Sequence, residues 1–123
     1  TLPARETLCH GDFHPGNVLI SPRGPVVIDW MTASQGSPWA DVARTSLILT
    51  ISIQSAGKIV PPIMRLLSGL LHHIYLTHYQ ALVPGGQAEF KRWQPIIAAA
   101  RLAEQIHPER EALLSAVMAG LDN

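Results

Sequence analysis

The sequence predicts an α+β fold, a small β-hairpin region packed on a mainly α-helical body. Three observations predict it. Short β-prone runs broken by Gly and Pro fill the chain up to about residue 37. Helical periodicity fills nearly everything after that point. The length, 123 residues, is enough for one domain around one core.

The elements follow in order. Asn17 to Ser21 and Pro25 to Trp30 are apolar runs separated by Ser-Pro-Arg-Gly-Pro, which is turn chemistry, so a β-hairpin is expected with Pro25 at its end or edge. Ser37-Pro38 has the form of a helix start, with Ser37 as N-cap and Pro38 at the first helical position. That helix should run to about Ser55 and be deeply buried from Leu47 to Ile53, where it is apolar on nearly every side. A longer helix is expected from Pro61 to Leu82. In it Ile63, Leu66, Leu67, Leu70, Leu71, Ile74 and His78 fall on one face. Pro84-Gly85-Gly86 stops it. Gln87 to Gln105 reads as a third helical region broken near Pro95, and Pro108 to Leu121 as a fourth.

Composition narrows the function classes. Charged residues make up 15% of the chain, against roughly 25% in a typical domain. Part of the surface is therefore expected to lie against another domain or another copy of the chain. Net charge is zero with neutral histidines, which gives no general affinity for nucleic acid or an anionic membrane. No apolar run is long enough to span a bilayer. Cys9 is the single cysteine, so an internal disulfide is impossible and a reducing, cytoplasmic setting fits. The chain opens on Thr1 rather than Met, and the expectation is a cleaved or truncated piece.

The chemistry-bearing stretch is His10-Gly-Asp-Phe-His-Pro-Gly-Asn17, followed by Val26-Val-Ile-Asp-Trp30. With the turn centred on Arg23, Ile20 pairs with Val26 and Asn17 falls opposite Asp29. Paired residues on one face have Cβ atoms about 5 Å apart. An amide oxygen and a carboxylate at that spacing suit one hard cation such as Mg2+, with waters and substrate phosphates completing its shell. Asp12 precedes Asn17 across a Pro-Gly bend and would stand near the metal without ligating it. Such a free carboxylate suits a base that takes a proton from an attacking hydroxyl.

This arrangement resembles the catalytic loop of protein kinases, and more closely that of the aminoglycoside phosphotransferase and choline kinase-like family. That family's loop reads His-Gly-Asp-x-His-x-x-Asn, here His10 to Asn17, and its metal segment Ile-Asp-Trp, here Ile28 to Trp30. Gly36-Ser-Pro-Trp-Ala-Asp41-Val-Ala43 resembles the family segment in which an Asp opens a buried helix. The resemblance implies a kinase-like C-terminal lobe over residues 1–123, with the catalytic loop and metal-binding hairpin in 1–36 and a helical subdomain in 37–123. It implies transfer of the terminal phosphate of ATP or GTP to a hydroxyl of a small molecule. Asp12 would be the base, Asn17 and Asp29 the Mg2+ ligands, and His14 a donor to the transferring phosphoryl group. His10 and Asp41 would support the loop. It also implies a partner lobe, N-terminal to Thr1, that would hold the nucleotide. Without that lobe the 123-residue chain is expected to be inactive, with apolar surface left exposed or buried in self-association.

Blander readings stand beside these. Asp12 alone could cap a turn. His10 fits a packed structural histidine, and His14 is balanced between structure and phosphate contact. Trp30, Trp39 and Trp93 fit core or interface packing, Cys9 a small buried hydrophobe, and Arg101 with Glu104 a helix-surface pair. The rival functions are a non-catalytic degenerate kinase lobe used for binding or dimerisation and, ranked last, a metal-dependent hydrolase.

Overall fold

The computed structural model describes residues 7–57, 60–104 and 109–121. Its elements are β1 (Thr7–Cys9), β2 (Val18–Ser21), β3 (Gly24–Val27), β4 (Ser34–Gly36), α1 (Pro38–Leu47), α2 (Ile53–Ser55), α3 (Pro62–Leu82), α4 (Gln87–Leu102) and α5 (Arg110–Leu121). Two 3-10 turns, Pro15–Asn17 and Trp30–Thr32, precede β2 and β4, and a π-helical stretch, Ile48–Ser52, joins α1 to α2. The fold is α+β, with small antiparallel strand pairs at one end of a helical body.

β2 and β3 form the expected hairpin, but its register is one residue from the expected one. Leu19 pairs with Val26 and Ile20 with Pro25. The cause is Ser21. Its hydroxyl accepts from Arg23 N (3.2 Å) and donates to Gly24 O (2.8 Å), which tightens the turn to Pro22 and Arg23 and draws Gly24 into the ladder. Asn17 is therefore opposite Ile28, whose N–H donates to Asn17 O (2.9 Å), and not opposite Asp29. The hairpin also stops at Val27, short of Trp30. A second pair, β1 with β4, was not anticipated; Leu8 lies opposite Gln35.

Ser37 caps α1, its Oγ accepting from Trp39 N (3.2 Å) with Pro38 at the first position. The helix runs on to Ser55 through the π stretch. The Leu49 carbonyl there is met by the buried Ser68 hydroxyl of α3 (2.6 Å), a donor from outside the helix. Burial over Leu47 to Ile53 is less complete than expected: Leu47 and Leu49 are buried, but Ile48, Ile51 and Ile53 are only partly so.

The core sits between α1 and α4. Trp39, Val42, Ala43 and Phe90 form one cluster, joined by Tyr79 and Trp93, and Leu47, Ala98 and Leu113 form a second towards α5. Gly86, ahead of α4, abuts the Trp39 indole so closely that an added Cβ would lie 1.8 Å from it. α4 is not broken at Pro95. The ring packs instead against Gly120 of α5, where a Cβ would come within 2.3 Å of it, so the missing backbone donor is traded for a close helix–helix contact. Glu109 and Arg110 open the last helical segment; Pro108 and Gln105 lie outside the described residues.

The apolar face of α3 is only half used. Ile63, Leu66, Leu67, Leu70, Leu71 and Ile74 are all exposed, whereas Tyr75, Leu76 and Tyr79 reach the core. No helix among the described residues is long and apolar enough to cross a membrane.

Candidate active site

The loop from His10 to Asn17 is held from below by the first turn of α1. Asp41 accepts from His10 N (2.8 Å) with Oδ2 and from Gly11 N (2.7 Å) with Oδ1. One carboxylate thus satisfies two successive loop amides with charge-assisted bonds. It also sits at the helix end where negative charge is favoured. Gly11 has φ +80°, and a Cβ there would stand 2.6 Å from Thr32 O, so both backbone shape and space require glycine.

His10 is buried and bonded at both ring nitrogens. Nε2 lies 2.9 Å from Ile28 O, and Nδ1 accepts from Asp12 N (3.2 Å). A carbonyl partner requires Nε2 to carry the hydrogen, which leaves Nδ1 as the acceptor. The ring packs on Trp30, with centroids 4.6 Å apart. Thr32, which sequence reasoning missed, closes the other side: its hydroxyl donates to His10 O (3.0 Å). Nothing in the spacing of residues 10 to 32 signals that contact, because it depends on the β1–β4 pairing.

Asp12 and His14 are brought together. His14 Nδ1 accepts from Gly16 N (3.1 Å), which leaves Nε2–H directed outward, 3.6 Å from Asp12 Oδ2. Both side chains are about one-third exposed, so solvent or a ligand reaches them. Asn17 is buried, and its Nδ2 donates to Asp12 O (2.9 Å). That bond fixes the amide and leaves Oδ1 as the end available to a cation.

Asp29 enters differently from the cross-strand pairing expected. It has φ +61° and ψ +60°, the only left-handed non-glycine residue among those described, and it caps nothing with its side chain. Such a conformation costs of order 1 kcal/mol or more for a residue with a Cβ. It turns the chain sharply after β3, whereas a continued strand would send the Asp29 side chain to the face opposite Asn17. Ile28, immediately before it, is tied to Asn17 through its N–H and to His10 through its carbonyl. Asp29 is therefore one residue from contacts with both halves of the loop.

Oxygen donors at Asn17 and Asp29 have the chemistry of a hard divalent cation such as Mg2+, which tolerates few protein ligands and keeps several waters. Among the described residues no three His, Cys, Asp or Glu side chains gather as a metal cluster. Cys9 is buried nearby, its Sγ donating to Ser37 O (3.4 Å), and burial, followed by the Asp41 charge, pushes its thiol pKa up. It is a packed, free thiol. Arg101 is more than half of a surface pair. It holds the buried Glu109 with two bonds (2.9 and 3.1 Å) and Glu104 with a third (2.5 Å), while Arg44 also binds Glu104 (2.6 Å). This network ties α1, α4 and the start of α5 together.

No curated protein and no solved structure matches the chain. The family comparison does, and it covers the part that builds this site. Residues 1–57, which contain the braced loop, Asn17, Asp29 and Asp41, match the model of the Phosphotransferase enzyme family, in keeping with the resemblance to aminoglycoside phosphotransferases and choline kinases.

Proposed function

We propose that this chain carries the catalytic loop and metal-binding residues of a kinase-like enzyme that transfers the terminal phosphate of ATP or GTP to a hydroxyl of a small molecule. What supports this most directly is the loop: Asp41 fixes the backbone that presents Asp12, and the Asn17 amide is pinned to the Asp12 carbonyl with its oxygen turned away. In the proposed reaction the acceptor oxygen forms a bond to the terminal phosphorus as its proton passes to Asp12. The bond to the departing nucleoside diphosphate breaks. His14, with Nε2–H facing the same space, would donate to the transferring group. A bound Mg2+ held through Asn17 Oδ1 and Asp29 would neutralise phosphate charge, and the rest of catalysis is positioning.

We also propose that the 123-residue chain alone has no measurable turnover and that a nucleotide-holding lobe works with it, in a cytoplasmic setting.

The test is a Mn2+ titration of the chain followed by NMR. Paramagnetic broadening should centre on Asn17 and Asp29, be reversed by excess Mg2+, and vanish in Asp29→Ala. Broadening spread over surface carboxylates, or unchanged in that variant, would remove the metal site and the phosphotransfer reading with it.

A further inference from the structure

Three contacts between the turn that carries Asp29 and the loop that carries Asp12 end on His10. His10 Nε2 donates to Ile28 O (2.9 Å). Its ring packs at a tilt against Trp30, with centroids 4.6 Å apart. Its backbone carbonyl accepts from the Thr32 hydroxyl (3.0 Å). Ile28 and Thr32 bracket Asp29, so the left-handed residue is suspended between two bonds to one buried histidine. The same ring also holds the base, because Nδ1 accepts from Asp12 N (3.2 Å).

Thr32 reaches that carbonyl because of the adjoining strand pair. β1 and β4 are in register with Cys9 opposite Ser34. Carried on by two residues, that antiparallel register sets Gly11 against Thr32. A Cβ at Gly11 would stand 2.6 Å from Thr32 O and 3.1 Å from Thr32 Oγ1, so glycine there leaves room for the hydroxyl to meet the loop. Thr32 itself is exposed and belongs to neither core cluster. Bonds within the turn, from Ala33 N to Trp30 O (3.0 Å) and from Trp30 Nε1 to Val27 O (3.0 Å), shape it without fixing where it sits against the loop.

A left-handed residue with a Cβ persists only where its surroundings over-determine it. Resting on the reading of Asn17 and Asp29 as cation ligands, we propose that Thr32 is a positioning residue. Its hydroxyl, acting through His10 O, holds the Asp29 turn against the Asp12 loop, so that metal ligand and base are placed as one unit. The hydroxyl can be removed without altering the loop sequence, the core or an expected ligand.

The experiment compares Thr32→Val, which keeps the shape and removes the donor, with Thr32→Ser, which keeps the donor, in the 123-residue chain. Because Thr32 is exposed, neither variant should disturb the core. The first readout needs no metal. In Thr32→Val the NMR amide signals of Asp12 and Asp29 should shift together, and the Asp12 amide should exchange roughly three- to tenfold faster, the worth of one hydrogen bond. Thr32→Ser should restore both. The second readout is the Mn2+ concentration that half-broadens Asn17 and Asp29. It should rise by a similar factor in Thr32→Val and return in Thr32→Ser. A hydroxyl that only stabilises the fold would speed exchange in α1 and α4 alike and leave the Mn2+ midpoint where it was, and that result overturns the proposal. Asp12 and Asp29 amides that ignore Thr32→Val, or a change that Thr32→Ser does not reverse, overturn it too. Absence of any Mn2+ response at Asn17 and Asp29 in the parent chain would remove the cation reading, whereas the metal-free readout still decides whether Thr32 holds the two segments together.

Discussion

Replacing Asp41 with Asn isolates what holds the loop. The carboxylate accepts two bonds, from His10 N and Gly11 N. The amide keeps one acceptor oxygen and turns an NH2 group towards the other donor, so one charge-assisted bond is lost and an amide is left facing a donor. Hydrogen bonds to charged groups contribute about 1.5–3 kcal/mol, and the charge in the first turn of α1 adds about 0.3–1 kcal/mol. The expected loss is about 2–4 kcal/mol, a large part of the roughly 5–15 kcal/mol that stabilises a domain. Urea unfolding followed by circular dichroism measures the total. Native-state hydrogen exchange measures the local part: the His10 and Gly11 amides should exchange at least about thirtyfold faster, while amides in α4 move only with global stability. The Mn2+ response at Asn17 should weaken in parallel, because the loop that orients it is loosened. A variant within about 0.5 kcal/mol of the parent, with unchanged exchange at those two amides, would refute this account of the loop.

Three further outcomes are expected. Gly86→Ala should cost at least about 2 kcal/mol and alter the near-ultraviolet signal of Trp39, since its Cβ would overlap the indole; Gly85→Ala, which has φ +85° but open space around it, should cost only about 1 kcal/mol. Arg101→Ala should cost about 3–5 kcal/mol by leaving Glu109 charged, buried and unpaired, and Glu109→Gln distinctly less, both read from urea midpoints. Acid should weaken the fold in two steps. Burial, with the neighbouring His73, lowers the His72 pKa below 6.5, so the unfolded chain takes up a proton first and stability falls as pH drops through that range. Burial alone would raise the carboxyl pKa values of Glu104 and Glu109, but bonds from Arg44 and Arg101 outweigh it and hold both below 4.5, so their contribution is complete above 4.5 and drains away beneath it. His72→Gln should remove the first step and leave the second.

How much of this was legible in the sequence depends on the range of the interaction. The Ser37-Pro38 start of α1 and the Pro84-Gly85-Gly86 stop after α3 are local, and they appear where the residues put them. The register of β2 with β3 is also local, yet it differs by one from the expected register because a single hydroxyl, Ser21, bonds Arg23 N and Gly24 O and fixes a tighter turn. Pro95 marks the limit of a propensity argument: its lost donor could be set against a contact with Gly120, but that contact needs α5, which only the tertiary structure brings near. The α3 stripe shows the converse. Its spacing correctly identifies a helix face, but spacing does not say what covers that face, and most of it is uncovered.

Asp29 joins these strands of reasoning. Sequence reading placed it opposite Asn17 by counting along a ladder, and the ladder ends two residues before it. What the chain uses instead is a left-handed residue followed by a 3-10 turn, a local conformation that costs free energy in isolation and that an ordinary strand end would not adopt. The contacts that stabilise it lie on either side: Ile28 bonded to both Asn17 and His10, and Trp30 packed at a tilt against His10 with its Nε1 donating to Val27 O (3.0 Å). Strain at a carboxylate that makes no bond to the described residues, braced by neighbours that have several, fits the reading of Asp29 as the cation ligand proposed above.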